Sequence, residues 1–135
     1  MRILIILVAI FTLAACSSDG KRPNAELTEQ EIYEKAVKAI DNENYFLAIE
    51  TFQKLESRYP FGQYSEQAQL EMIFAQFQAQ ELEGAKASAE RFIRLHPENE
   101  NVDYAYYLKA LATYELGLSL VERYFADDEA KRDPL

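Results

Sequence analysis

Residues 33–40, Tyr33-Glu34-Lys35-Ala36-Val37-Lys38-Ala39-Ile40, place apolar side chains at 33, 36, 37 and 40. That 3-4 spacing lays one apolar stripe along a helix. The stripe returns 37 residues later as Leu70, Ile73, Phe74 and Phe77, and after the same interval as Tyr107, Ala110, Leu111 and Tyr114. The offset also carries Ala48 onto Ala85 and Pro60 onto Pro97. So many matches of type at one shift point to a repeated supersecondary unit.

Each unit then reads as a first helix, a turn at Asp41 to Asn44 or Gln80 to Glu83, a second helix and a proline stop. Small Ala48 and Ala85 fall where two helices cross closely. This is the tetratricopeptide pattern, an all-α solenoid whose usual period is about 34 residues. The three extra residues fit best in the turns Phe61 to Tyr64 and Glu98 to Asn101, each just after a proline. Thr28 and Glu31 have the capping-box spacing, with Leu27 and Ile32 placed for a hydrophobic staple, so the first helix starts there. The repeat domain is expected over 28–135, in units of about 28–63, 64–100 and 101–135. In the third, the first helix should run from about Val102 to Leu116, after which Gly117 and the charged run Asp127 to Asp133 break the period. Solenoids bury their apolar faces against neighbours and end in capping repeats, so more chain is expected beyond Leu135.

Upstream, Arg2, the apolar stretch Ile3 to Leu13 and small Ala14 and Ala15 form a secretory leader over 1–15. The stretch is shorter than the roughly 20 apolar residues of a spanning helix. Leu13-Ala14-Ala15-Cys16 resembles a lipobox, which makes Cys16 the lipidation site and, after cleavage, the first residue. It is the single cysteine, so no disulfide can form within the chain. Ser17 and Ser18 behind it point to the outer rather than the inner membrane, and polar residues 16–27 read as a flexible tether.

Lys and Arg number 14 against 23 Asp and Glu, and losing Arg2 with the leader leaves a net charge of −10. Nucleic acid needs a basic face to neutralise phosphate, so it is excluded as a partner. Binding to anionic headgroups by charge is disfavoured for the same reason, which leaves the lipid to do the anchoring. Catalytic constellations are missing from the pattern. His96 is the single histidine and falls in a turn before Pro97, the four glycines are scattered, and no serine or cysteine has a base partner. No metal or other cofactor is expected. Glu31 with Lys35 and Glu34 with Lys38 read as i, i+4 pairs on a solvated face.

What stands out is nine tyrosines and eight phenylalanines without a tryptophan. Tyr33, Tyr107 and Tyr114 lie in the helical stripes and read as seam fillers. Arg58, Tyr59, Phe61, Tyr64 and Tyr104 fall at helix ends and turns and are the candidate peptide-binding residues. Tyrosine suits such a surface, with a large rigid face and one hydroxyl. Gly62 in that turn allows a close approach or a positive φ.

A lipobox followed by Arg58-Tyr59-Pro60-Phe61-Gly62-x-Tyr64, then Arg91-Phe92-Ile93-Arg94-Leu95-x-Pro97, then Asp103-Tyr104 and a closing Arg132-Asp133-Pro134, resembles the BamD (ComL) family from Cys16 to Leu135. The family consists of tetratricopeptide lipoproteins of the outer-membrane β-barrel assembly machinery. The resemblance implies a periplasmic adaptor on the outer membrane that catalyses nothing. It would hold the barrel subunit BamA, meet BamC and BamE, and engage unfolded β-barrel substrates. A competing reading of the same architecture is a tetratricopeptide lipoprotein of cell-envelope maintenance, in the Tol-Pal system or peptidoglycan synthesis.

Overall fold

The computed structural model describes residues 27–132, with side chains through 125. The leader, Cys16 and the tether up to residue 26 lie outside the described residues. Leu27, expected in the tether, instead packs against the first core cluster. Five helices follow in order: α1 (Glu29–Asp41), α2 (Tyr45–Arg58), α3 (Ser65–Gln78), α4 (Leu82–Leu95) and α5 (Val102–Arg132). There is no strand among the described residues.

The 37-residue repeat is written into the backbone. Glu43 and Gln80 both take a positive φ, at 56° and 62°. The N–H of Glu43 donates to Ile40 O and that of Asn44 to Ala39 O; the N–H groups of Gln80 and Glu81 repeat this with Phe77 O and Gln76 O. These are Schellman closures, which satisfy the last carbonyls of α1 and α3 before the chain reverses. The second turn therefore occupies 79–81, a residue or two before the expected Gln80 to Glu83. The long turns match as well: Tyr59 N–H bonds to Leu55 O and Gly62 N–H to Tyr59 O, as His96 N–H does to Phe92 O and Asn99 N–H to His96 O. These turns span 59–64 and 96–101, which is where the extra residues were expected.

At the start of α1 the capping box forms, with Glu31 N–H donating to Thr28 Oγ1 and Thr28 N–H to Glu31 Oε2 at 2.8 Å. That use of Glu31 replaces the expected pairing with Lys35, and Glu34 accepts from Gln30 Nε2 in place of Lys38.

Consecutive helices pack as antiparallel neighbours, α1 also meets α3, and α3 meets α5. The backbones of α2 and α4 stay apart, so the first helices form the inner layer of the curve and the second helices the outer. Between α2 and α4 a long-armed ion pair spans the gap, Arg91 Nη2 to Glu56 Oε1 at 3.1 Å. Two core clusters result. The first joins α1, α2 and α3 through Ile32, Ala36, Ala48, Phe52, Leu55, Ala68 and Met72. The second joins α3, α4 and α5 through Leu70, Ile73, Ala89, Phe92, Ala105 and Leu108. Ala48 and Ala85 are fully buried at the crossings, as their place in the repeat requires. Helix α3 contributes to both clusters and is therefore apolar on two faces.

The third unit departs from expectation. Helix α5 does not stop near Leu116 but runs unbroken through Gly117 to Arg132. Only the side facing α3 and α4 is buried, by Ala105, Leu108 and Ala112. The face carrying Tyr106, Lys109, Ala110, Thr113 and Tyr114 lines an open hollow. Shifted back 37 residues, it corresponds to Gln69, Met72, Ile73, Gln76 and Phe77. In the second unit α4 packs on α3, whereas no second helix returns on α5 among the described residues. Tyr107 and Tyr114 are consequently 57% and 66% exposed rather than seam fillers.

Most polar groups taken inside find partners: Thr51 Oγ1 donates to Leu47 O and Ser65 Oγ to Pro60 O. The exceptions are Gln69 and Gln76 of α3, whose buried Oε1 atoms accept no hydrogen bond. A buried acceptor left unmade costs about 1–3 kcal/mol. Gln76→Met, near in shape and free of that acceptor, is expected to raise the melting temperature. Thermal unfolding followed by circular dichroism checks this, and a lower midpoint overturns it.

Candidate peptide groove

The turn between the first two units is fastened by a side chain from its beginning. Glu29, in the first turn of α1, accepts the Tyr64 N–H at 2.7 Å through Oε1. A methyl group on Gly62 would overlap that carboxylate, so a larger residue there would push the Glu29 side chain aside and disturb its bond to the Tyr64 N–H. Positive φ is not the reason for glycine here, because no glycine among the described residues adopts it. Glu66, 37 residues after Glu29, does the same for the next turn, accepting from Asn99 Nδ2 and lying 3.3 Å from His96 Nδ1. His96 is thus half-buried against Phe92, with ring centroids 4.9 Å apart, and is not the surface residue its turn position suggested.

Around the first fastened turn the five sequence candidates separate. Tyr59 caps α2, packs on the first cluster and donates its hydroxyl to Leu27 O at 3.2 Å, so both of its ends serve the fold. Arg58 is half-buried in the last turn of α2, where its charge suits the helix dipole. Phe61 is 100% exposed at the tip of the turn. Tyr64 and Tyr104 belong to a different place, the inner layer of first helices.

Tyr64 at the N-cap of α3 stacks on Tyr33 of α1, centroids 4.8 Å apart and planes 23° from parallel. Tyr104 stacks on Tyr107 one turn further along α5, at 6.3 Å and 25°. Helix α3 carries Tyr64 of the first pair and packs between α1 and α5, and Tyr64, Gln67 and Glu71 follow one stripe on it at i, i+3 and i+7. Glu71 is half-buried and held by Gln67 Nε2 at 2.8 Å. Burial first, and then the Glu71 carboxylate, raise the pKa of both Tyr33 and Tyr104 above the ordinary 10.0. Both hydroxyls therefore stay protonated at neutral pH and remain donors. Of the sequence candidates the structure sets Tyr64 and Tyr104 on the layer of first helices, each in its own tyrosine stack, and leaves Arg58, Tyr59 and Phe61 at the turn. Sequence reasoning missed Glu71, whose i, i+4 glutamine partner looks like any solvated helix pair, and set Tyr107 aside as core, whereas Tyr33, read as a seam filler, does pack against the first cluster.

Helix pairs stacked at a constant offset and closed by small residues at their crossings define an α-solenoid scaffold. The chain belongs to the tetratricopeptide repeat family, whose pattern it matches over residues 19–135. It is similar to the protein named Outer membrane protein assembly factor BamD of Neisseria gonorrhoeae, at 32% identity across 98% of this chain and 52% of that protein. Its counterpart in Vibrio cholerae is 35% identical across 95% of this chain and 53% of its own length. The Caulobacter vibrioides protein of the same name is 29% identical across 82% and 37%. The chain spans about half the length of the first two relatives. The resemblance read from the sequence motifs therefore holds.

Proposed function

We propose that this chain is an assembly factor for outer-membrane proteins, a lipid-anchored periplasmic scaffold that helps β-barrel proteins fold and insert. The observation that carries the reading is the pair of tyrosine stacks on the layer of first helices, Tyr33 with Tyr64 and Tyr104 with Tyr107. An extended segment alternates its side chains, so aromatic residues on one edge can lie against the two stacks while its backbone meets the hydroxyls. Unfolded barrel strands, rich in aromatic residues by the family resemblance, have this character. BamA, BamC and BamE are the proposed partners through the same resemblance, and Cys16 is the proposed lipid attachment point.

Binding of a synthetic aromatic barrel-strand peptide tests the groove. Tyr104→Ala removes a ring that takes no part in either core cluster, and is expected to weaken binding by roughly tenfold, the scale of a hot-spot tyrosine. Its helical circular dichroism should be unchanged. Tyr59→Ala should do the reverse, lowering the melting temperature while leaving affinity intact in the folded fraction. Full affinity in the Tyr104→Ala chain retires the groove as the binding surface.

A further inference from the structure

Resting on the peptide-groove reading, we infer that Glu71 is its specificity-determining residue, selecting a segment that places a lysine or arginine between its aromatic side chains. The Glu71 carboxylate carries a charge that no Lys or Arg meets among the described residues. Two ion pairs join described residues, at Arg91 and Lys109, His96 lies 3.3 Å from Glu66, and Glu71 takes part in none of these contacts. Its one hydrogen bond comes from the neutral Gln67 amide, which orients the carboxylate without neutralising it. Position 34 of α1 shows the contrast. Glu34, 37 residues earlier, has the same partner type in Gln30, but lies exposed near Lys35 and Lys38 in sequence. Glu71 is drawn instead into the inner layer, where Tyr33 and Tyr104 both feel its charge.

A half-buried carboxylate attracts a cation more strongly than an exposed one, because less water screens it. Tyrosine faces add to this, since a ring attracts a cation placed over it. Tyr33–Tyr64 on one side and Tyr104–Tyr107 on the other supply such faces. A methionine side chain of similar length would gain the ring contacts and lose the charge. A peptide's terminal carboxylate would be repelled, so the groove takes an internal stretch of the segment rather than its end.

Two extended peptides of alternating aromatic residues and threonines, identical except for lysine or methionine at the centre of the aromatic edge, test this by calorimetric titration. The native chain is expected to bind the lysine peptide roughly tenfold more tightly, the size of one good charge-assisted contact, with the preference fading as salt rises. Glu71→Gln keeps the shape and the Gln67 bond, and should equalise the two peptides without changing affinity for the methionine one. Equal binding of both peptides by the native chain overturns the inference and leaves the groove standing. No binding of either overturns both together. Weaker binding of both peptides by Glu71→Gln would mean a merely structural role and also overturns the selectivity.

Discussion

Phe92→Ala is expected to cost about 3–5 kcal/mol, the usual range for emptying a buried phenylalanine site. The ring is completely buried and is the largest member of the second cluster, the one that holds α5 to α3 and α4. Small domains have only about 5–15 kcal/mol in total, so the loss is a large share. In a stacked array each unit leans on its neighbours alone, and damage should stay local. Hydrogen exchange should then show amides around Ala105 to Ala112 opening first, while those beneath Phe52 and Leu55 in the first cluster remain protected. An unaltered melt, or uniform loss of protection across both clusters, would count against this division.

The second large effect lies at Cys16 and follows from arithmetic on its proposed acyl groups. Each buried methylene contributes about 0.8 kcal/mol, so a chain carrying three acyl groups does not leave a bilayer on any useful timescale. With the proposed leader removed the net charge would be −10, which disfavours anionic headgroups, and no helix among the described residues is long and apolar enough to cross a membrane. Cys16→Ala is therefore expected to keep its leader and fractionate with the inner membrane, absent from the outer one. Mass spectrometry should find the native mature N-terminus acylated; a bare Cys16 on that mature chain would sink the proposal.

Much of the architecture was legible because the repeat satisfies local rules one after another. The Thr28 and Glu31 cap, the Ala48 and Ala85 crossings and the prolines after each second helix are all signals within a few residues of what they control. The third unit was misread at Gly117, where a glycine was taken for a boundary. A glycine in a helix costs only about 1 kcal/mol, and no turn residue accompanies it there. With the helix unbroken, the stripe at Tyr107 and Tyr114 has no partner among the described residues to cover it, and Leu108, one position over, is the buried residue. The groove was half legible for a related reason. Tyr64 and Tyr104 announce themselves by position, whereas the value of Glu71 depends on α3 lying between α1 and α5, a tertiary fact that periodicity does not carry.

The carboxylates of Glu29 and Glu66 act as clasps, each closing a loop from the first turn of a unit to the turn that ends it. Because each clasp runs from the first turn of a unit to the turn that joins it to the next, it measures off a fixed contour of chain. Copying such a segment head to tail reproduces its fastening along with its helices. Growth of the array by tandem duplication therefore needs no new joint to be devised, and a lengthened or shortened arm keeps the same spacing between its grooves.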